Sequence, residues 1–92
     1  MSDLADTLAE RGARYGSFFD HAIIAQSLQC VMRGTDAIPT RWEGLSPDMQ
    51  QALTTIADKI ARILNGDPTY LDNWHDIQGY ARLVEKRLEE EA

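Results

Sequence analysis

Cysteine is nearly absent from the sequence, and long apolar stretches are absent altogether. Cys30 is the single cysteine among 92 residues, which excludes a disulfide within the chain and a cysteine-based zinc cluster and is typical of a reducing compartment. No apolar run approaches the roughly eighteen residues that a membrane-spanning helix needs. The first residues, Met1–Asp6, include two acids where a secretory signal would be basic. We therefore expect a soluble, cytoplasmic protein with no membrane partner.

Basic residues are in the minority. Nine Lys and Arg residues stand against fifteen Asp and Glu residues, for a formal net charge of −6. This balance opposes nonspecific binding to a nucleic acid polymer or an anionic membrane, because both depend on cationic side chains that neutralise phosphate. It does not oppose one small phosphorylated ligand, since the local charge of a pocket decides that case.

The length of the chain limits its hydrophobic core. A chain of 92 residues is expected to form a single domain, residues 1–92, because chains divide only well beyond about 150 residues. Such a chain buries roughly 60–65% of the surface that it exposes when unfolded, which leaves a thin core. Self-association commonly adds stability to domains of this size, so we expect a homo-oligomer.

Helical spacing of apolar residues recurs along the whole chain, and no segment alternates long enough to predict a strand. The expected fold is all-α, a small bundle of three longer helices and a short N-terminal helix. Ser2 is the expected cap of the first helix, which should run to about Arg11 and end at Gly12. The second should begin after Ser17 and end at Gly34.

The second half of the chain has equally clear signals. A loop is expected over 35–45, with Trp42 attaching it to the core. Ser46 and Pro47 predict the start of the third helix and Asn65-Gly66 its end, while Asp72 is the expected cap of the fourth. The predicted buried stripes are Phe19, Ile23 or Ile24, Leu28 and Val31 on the second helix; Leu53, Ile56, Ile60, Ile63 and Leu64 on the third; and Trp74, Ile77, Ala81, Val84 and Leu88 on the fourth.

The segment 14–19 combines a cation, aromatic rings and the start of a helix. Helix N-termini bind anions through their free backbone N–H groups and the local dipole. Arg14 would add a bidentate donor to phosphate, and Tyr15 would stack on a nucleotide base. The alternative is that Tyr15 and Phe18 anchor the core while Arg14 is solvated.

Two cations lie on the third helix beside its apolar stripe. Lys59 and Arg62 flank this stripe rather than oppose it, so their charged ends would reach the edge of the bundle and bind phosphate there. The alternative is a surface ion pair, since Asp58 and Arg62 have the i, i+4 spacing of such pairs.

The start of the fourth helix carries polar groups on one side. Asp72, Asp76 and Tyr80 step by four residues and so share a face. We expect the acids to contact ribose hydroxyls or a bound cation, and Trp74 to stack on a base, although core packing is the alternative for such rings. Gly79 inside a helix costs about 1 kcal/mol relative to Ala, which indicates close approach by a ligand or another backbone.

Signals for metals and for catalysis are weak. Asp58, Asp67, Asp72 and Asp76 supply carboxylates of the kind that Mg²⁺ prefers, without a recognised spacing, so Mg²⁺ stays possible and no other cofactor is expected. His21 and His75 are too few and too far apart to predict a zinc site. No nucleophile motif, phosphate loop or dinucleotide fingerprint is present.

Three motifs together resemble a family of small phage and prophage all-α proteins of unassigned function. They are Glu10-Arg11-x-x-Arg14-Tyr15-Gly16-x-Phe18, Ile56-Ala57-x-Lys59-Ile60-Ala61-Arg62-Ile63-Leu64-Asn65-Gly66-Asp67-Pro68 and Asp72-x-Trp74-x-Asp76-Ile77-x-Gly79-Tyr80. The resemblance covers 8–88 and places the protein in the cytoplasm of an infected bacterium. The family is distantly similar to all-α nucleotide pyrophosphohydrolases, whose paired Glu-x-x-Glu and Glu-x-x-Asp motifs this sequence lacks.

A second similarity is one of kind rather than of alignable sequence. Small oligomeric phage proteins act as sponges that sequester nucleotide immune signals of the host, and they need cations, aromatic rings and polar groups in one pocket. We therefore expect non-catalytic binding of a nucleotide-derived ligand. The expected ligand-binding residues are Arg14, Tyr15, Lys59, Arg62, Asp72, Trp74, Asp76 and Tyr80. The alternatives are an Mg²⁺-dependent nucleotide pyrophosphohydrolase, a protein-binding inhibitor with Phe18, Met32 or Trp42 at its surface, and a purely structural bundle.

Overall fold

The fold is all-α, as the helical spacing predicts. The structure, a computed structural model, describes residues 3–92, and over this range it contains four α-helices and no strand. The helices are α1 (Asp3–Tyr15), α2 (Phe18–Arg33), α3 (Pro47–Asn65) and α4 (Leu71–Glu91), with a single 3₁₀ turn at Trp42–Gly44. The predicted cap Ser2 lies outside the described residues.

The first helix is longer than predicted. The expected end at Gly12 is wrong, because α1 continues through this glycine to Tyr15. A glycine inside a helix costs only about 1 kcal/mol, which the following turn of helix offsets here. Gly16 ends the helix instead, with a φ of 77° that glycine adopts without strain and an N–H that donates to the Gly12 carbonyl at 2.9 Å.

The second helix has the predicted ends. The Ser17 hydroxyl accepts from the Asp20 N–H at 3.1 Å, which is the expected N-cap contact. At the other end Gly34 has a φ of 95°, and its N–H donates to the carbonyls of Cys30 and Val31. Both ends depend on residues within four positions, which explains why local sequence predicts them.

The third helix begins and ends as predicted, whereas the fourth begins earlier. Pro47 occupies the start of α3, and the Gly66 N–H donates to the Arg62 carbonyl at its end. The expected cap at Asp72 is wrong, since α4 begins at Leu71 after Tyr70 and Asp72 lies in its first turn. Asp67 is the reason: its carboxylate accepts from the N–H and hydroxyl of Thr69, and this turn leads directly into the helix.

The loop between α2 and α3 is confirmed, with one short element that the sequence did not predict. The Thr40 hydroxyl donates to the Met32 carbonyl at 2.7 Å. Trp42 opens the 3₁₀ turn and is half-buried, and its carbonyl accepts from the Gln50 side chain at 2.8 Å. These contacts hold the loop against the ends of the two helices that it joins.

Small residues form the centre of the bundle. Helix α3 packs against α2 and α4, and the buried apolar side chains are Ala25, Ala52, Ala57 and Ala61. Alanines let helices approach closely, so larger side chains lie at the flanks of the contacts. Of the predicted pair Ile23 or Ile24, Ile24 is half-buried and Ile23 is exposed. The predicted burial is wrong for eight exposed residues: Phe19, Val31, Leu53, Ile60, Leu64, Trp74, Ala81 and Leu88.

Between residues 3 and 92, no helix is both long enough and apolar enough to cross a lipid bilayer.

Candidate functional site

The end of α1 is attached tightly to the end of α3. The Asp67 N–H donates to the Arg14 carbonyl at 2.6 Å. The Asn65 side-chain amide donates to the carbonyls of Tyr15 and Ser17 at 2.7 and 2.8 Å. One asparagine therefore satisfies two carbonyls of the turn that joins α1 to α2 and fixes the position of that turn on α3.

Two glycines make this contact possible. A Cβ atom on Gly66 would lie 2.0 Å from the Arg14 carbonyl oxygen and 2.3 Å from the Tyr15 Cα. A Cβ atom on Gly16 would lie 2.2 Å from the Asn65 carbonyl oxygen. All three distances are far below van der Waals contact with backbone atoms, which cannot rotate away. The close approach predicted at Gly79 is not found within the chain, because a Cβ there would meet no atom within 4 Å.

A cleft of about 440 Å³ opens beside this junction, and we call it the Tyr15 cleft. It lies where α1, the start of α2 and the end of α3 come together. The residues that line it are Leu8, Arg11, Gly12, Tyr15, Gly16, Ser17, Phe18, His21 and Arg62. Its volume falls within the range of roughly 300–1,000 Å³ typical of small-molecule sites.

Two contacts between an arginine and a tyrosine ring lie next to the cleft. The guanidinium carbon of Arg62 lies 4.6 Å from the centre of the Tyr15 ring, and that of Arg14 lies 4.5 Å from the centre of the Tyr70 ring. The two rings meet edge to face at 6.1 Å. Both cations are within the range of roughly 6 Å over which a ring face attracts a positive charge.

Arg14 is held by several groups rather than exposed as a free cation. Its guanidinium donates to the Tyr70 hydroxyl at 2.9 Å and pairs with Glu10 at 2.7 Å. Burial raises the pKa of Tyr70 above its ordinary value, while the charge of Arg14 opposes that rise. The Tyr70 hydroxyl therefore keeps its proton at neutral pH and donates to Asp72 at 3.3 Å.

His21 forms the floor of the cleft and is nearly enclosed, with 7% of its surface exposed. Its Nε2 atom lies 2.8 Å from Asp58 Oδ1, and the other carboxylate oxygen lies 3.3 Å from Arg62 Nε. Since an ionised carboxylate only accepts, the Nε2 atom is the donor. The Nδ1 atom is buried without a hydrogen-bond partner in the described part of the chain.

An unpartnered buried nitrogen costs free energy unless something else fills the hydrogen bond. Nδ1 of His21 is therefore an unsatisfied polar atom in the wall behind the cleft. The Phe18 ring stacks on the imidazole at 5.8 Å with an angle of 19°, which leaves Phe18 itself 81% exposed. The exposed ring of Phe18 thus forms an aromatic side of the cleft next to His21.

The N-terminus of α2 opens at the same cleft. Ser17 accepts from the Asp20 N–H through its hydroxyl and from the His21 N–H through its carbonyl. The first N–H groups of a helix have no intrahelical acceptor, so those of Phe18 and Phe19 are the donors that remain. Arg11 and Arg62 line the same end of the cleft, where Arg62 pairs with Asp58 and the dipole of α2 favours an anion.

Of the eight residues expected to bind a ligand, Tyr15 and Arg62 line the cleft. Arg14 and Asp72 lie nearby through their contacts with Tyr70. Lys59 is directed to the α4 side instead, where its ammonium lies 2.9 Å from Asp76. That hydrogen bond is the main reason why the pKa of Asp76 is lowered, with the charges of Lys59, His75 and Arg62 adding to the effect.

The remaining expected residues lie elsewhere. Trp74 is half-exposed, and its indole N–H donates to the Pro68 carbonyl at 2.8 Å. Tyr80 and Asp76 line a separate, shallower groove of about 380 Å³ together with His75, Gly79 and Leu83. Tyr15 and Trp74 therefore do not face one cavity, and the eight residues do not converge on a single pocket within the chain.

Three residues at or beside the cleft were not predicted from the sequence as ligand-binding residues: Arg11, His21 and Tyr70. Arg11 precedes Tyr15 by four residues, so its place on the same helix face follows once α1 is known to continue to Tyr15. For His21 the available signal was its position one turn after the Ser17 cap. Tyr70 carried no such signal, because its partners Arg14 and Tyr15 lie far away in the sequence.

No group of three or more His, Cys, Asp or Glu side chains within residues 3–92 is arranged to hold a metal ion. The four carboxylates considered for Mg²⁺ are instead distributed over different contacts. Asp58 faces His21 and Arg62, Asp67 holds Thr69, and Asp76 faces Lys59.

No protein-family model, curated protein or solved structure matches this chain.

Proposed function

We propose that the protein binds a nucleotide-derived ligand in the Tyr15 cleft and sequesters it without turnover. The observation that carries this proposal is the position of Arg62. Its guanidinium lies over the Tyr15 ring, at the N-terminus of a 16-residue helix, in a cleft of suitable volume. A nucleotide needs a cation for its phosphate group and an aromatic ring for its base, and Arg62 and Tyr15 would supply them side by side.

The phosphate would bind at the end of the cleft where α2 begins. Helix N-termini stabilise anions through backbone N–H groups and the helix dipole, and the N–H groups of Phe18 and Phe19 are available for this. Arg62 and Arg11 add guanidinium donors that match phosphate geometry. Arg62 is also paired with Asp58, and this ion pair would orient the guanidinium and reduce the entropy lost on binding.

The base would bind against the aromatic side of the cleft. Tyr15 and the highly exposed ring of Phe18 present flat apolar surfaces within one cleft. Stacking of a base on such a ring is worth roughly 1–3 kcal/mol.

The contacts of the acidic residues support sequestration rather than hydrolysis. A pyrophosphohydrolase needs several carboxylates free to bind Mg²⁺. Asp76 is engaged by the ammonium of Lys59, and Asp72 accepts from the Tyr70 hydroxyl. The biological role that we propose is that of a phage sponge, which removes a nucleotide signal of host antiviral defence from the cytoplasm.

We include homo-oligomeric assembly in this proposal. The buried apolar residues of the described chain are alanines, while larger apolar residues such as Phe18, Phe19 and Leu71 are exposed. A small domain with so thin a core gains stability when it buries such residues against another subunit.

Thermal shift and calorimetric titration against linear nucleotides, cyclic nucleotides and ADP-ribose derivatives, with and without Mg²⁺, test the proposal. We expect one class to raise the melting temperature, and mass spectrometry to recover that ligand intact after heating. Arg62→Gln should reduce the shift at the same ligand concentration. The matched control is Arg82→Gln, since Arg82 is an exposed arginine of α4 that pairs with Glu85 and Glu89.

Two other outcomes would overturn the proposal. Release of nucleoside monophosphate on incubation with Mg²⁺ would establish a pyrophosphohydrolase instead. No shift with any nucleotide would favour a protein-binding inhibitor, in which the exposed Phe18 ring contacts a protein partner.

A further inference from the structure

Helix α1 has almost no partner within the chain. Each residue from Asp3 to Ala13 is exposed, and α1 contains no buried residue. The helix joins the bundle through its last turn, where the Arg14 carbonyl accepts from Asp67 and the Tyr15 carbonyl accepts from Asn65. An isolated helix shorter than about 12–15 residues is marginal in water, so 13 residues with an internal glycine call for a surface to pack on.

One face of α1 carries two leucines and a tyrosine together with Arg11, and its C-terminal part lines the cleft. Leu4, Leu8, Arg11 and Tyr15 follow the i, i+4, i+7, i+11 spacing of a single helix face. Leu4 is 72% and Leu8 60% exposed. Leu8 lines the Tyr15 cleft together with Phe18, so this face continues into the wall that carries the aromatic rings.

We propose that this face pairs with α1 of a second copy of the chain in an antiparallel, two-fold dimer centred near Leu8. Each copy would then cover the open side of its partner's Tyr15 cleft. The proposed dimer does not depend on a bound ligand. Only the statement that it covers a ligand rests on the proposed function.

The charges of α1 favour a second copy in this orientation. Asp3 lies in the first turn beside the apolar face, Asp6 lies on the opposite side of the helix, and Arg14 lies in the last turn, where it also pairs with Glu10. An antiparallel pair places the acidic end of each copy beside the basic end of the other, whereas a parallel pair brings like charges together. Opposed helix dipoles add to the same preference. The helix is therefore complementary to itself about its middle.

The apolar area agrees with this assignment. Phe18 alone exposes four fifths of its surface, and Leu4 and Leu8 expose well over half of theirs. Since an aromatic side chain contributes roughly 150–250 Å², these residues and the backbone between them offer several hundred Å². That is about half of the roughly 800 Å² that each partner contributes to a stable interface, and the polar side chains beside this face would supply the rest. Ala5 and Gly12 beside the face let two helix axes approach closely.

Light scattering during size-exclusion chromatography tests the dimer directly. We expect the full chain to elute at twice its mass of 10.4 kDa. Leu4→Glu should raise the dimer dissociation constant at least about tenfold, because it places a charge in the apolar contact. Leu71→Glu is the matched control: Leu71 is 79% exposed at the start of α4, and its substitution should leave the dimer intact. Circular dichroism would verify that both variants fold.

Cross-linking tests the orientation. In a Cys30→Ser background, an antiparallel pair centred near Leu8 brings two copies of Leu8→Cys close enough for a disulfide. Two copies of Leu4→Cys would lie roughly 12 Å apart along the axis, at 1.5 Å per residue, beyond the roughly 7 Å limit for a disulfide. Rapid oxidation of the first and not the second is the expected result. A parallel pair would cross-link at both positions and would overturn the orientation.

The dimer and the nucleotide site fail in different ways. A wild-type chain that elutes at its single-chain mass at every concentration, yet still shows a nucleotide-dependent thermal shift, removes the dimer and leaves the binding site. A dimer that Leu4→Glu dissociates and that shows no shift with any nucleotide removes the proposed ligand and leaves the dimer. Dissociation by Leu71→Glu rather than by Leu4→Glu would assign the contact to α4 and refute the α1 interface.

Discussion

The guanidinium of Arg62 lies 4.6 Å from the centre of the Tyr15 ring, so a cation from α3 covers an aromatic ring from α1. This relationship depends on the backbone contact between the two helix ends, where Asn65 and Asp67 donate to the carbonyls of Tyr15 and Arg14. The same contact positions the start of α2, where Ser17 and Phe18 line the cleft. A single junction therefore brings together every element of the candidate site.

The two cations of α3 should differ in their effect on ligand affinity. Arg62 lines the cleft, whereas Lys59 faces Asp76 on the other side of the helix. We predict that Arg62→Gln weakens nucleotide binding by about tenfold or more, which corresponds to the roughly 1.5–3 kcal/mol of a hydrogen bond to a charged group. Lys59→Gln should change it by less than about twofold. Isothermal titration of the two variants side by side provides the comparison, and a larger loss for Lys59→Gln would move the site to the α4 side.

Substitution of Gly66 should damage both stability and the site. Its Cβ would lie 2.0 Å from the Arg14 carbonyl oxygen, so Gly66→Ala must separate α1 from α3. We expect a loss of about 1–3 kcal/mol in the free energy of unfolding, as for other overpacked positions, together with weaker ligand binding. Urea denaturation followed by circular dichroism measures the first effect.

Gly79→Ala is the control for this substitution. A Cβ at Gly79 meets no atom within 4 Å, and the residue lies inside α4. The variant should be more stable than the wild type by up to about 1 kcal/mol, because alanine favours the helix. Equal losses for the two glycine variants would show that the contact between α1 and α3 is not tight.

Loss of the His21 side chain should destabilise the fold. The buried imidazole donates to Asp58 at 2.8 Å, and its removal leaves that carboxylate without the contact. We predict that His21→Ala costs about 2–3 kcal/mol in the free energy of unfolding. His75→Ala, at an exposed position of α4, should stay within about 0.5 kcal/mol of the wild type. Chemical denaturation of the two variants decides whether the contact with Asp58 stabilises the fold.

Acid should weaken the contact between the start of α3 and the end of α4. Arg87 donates to both oxygens of Asp48, and this contact, with a hydrogen bond from Ser46, lowers the pKa of Asp48 from 3.8 to about 2. The carboxylate is more acidic in the folded state, so its contribution to stability is complete above about pH 4 and is lost as the pH falls through about 2.

Melting temperatures measured between about pH 5 and 2 test this expectation. Asp48→Asn should be less stable than the wild type near neutral pH, and the difference should shrink toward pH 2. Asp36 lies in the exposed loop before α3. The melting temperature of Asp36→Asn should therefore differ from that of the wild type by the same amount at every pH. A constant difference between Asp48→Asn and the wild type at every pH would contradict the assigned ion pair.

The ends of the helices were largely readable from local sequence. Ser17 caps α2, Gly34 ends it, and Pro47 starts α3, because each of these signals is satisfied within about four residues. Two predicted helix ends, at Gly12 and at Asp72, are wrong because a nearby residue forms the end instead. Gly12 does not end α1 because Gly16 offers a better end with positive φ, and Asp72 does not cap α4 because Asp67 already organises the preceding turn.

Burial was much less predictable. Apolar spacing identified which face of α3 is apolar, and the structure shows that alanines on α3 occupy the centre while Leu53, Ile60 and Leu64 remain exposed. Spacing along a helix gives the direction of each side chain but not the distance of the neighbouring helix. Where small residues set that distance, larger ones lie at the edge and are left for contacts outside the single chain.

The all-α fold and most helix ends follow from the sequence itself, because capping, glycine conformation and helical periodicity act over a few residues. The site required the tertiary structure. Arg62 covers Tyr15, His21 meets Asp58 and Arg14 meets Tyr70 only after α1, α3 and the turn before α4 have packed, since these contacts depend on how the helices are rotated and how closely they approach. Two glycines and a core of alanines set that approach, which a single helix considered alone does not specify.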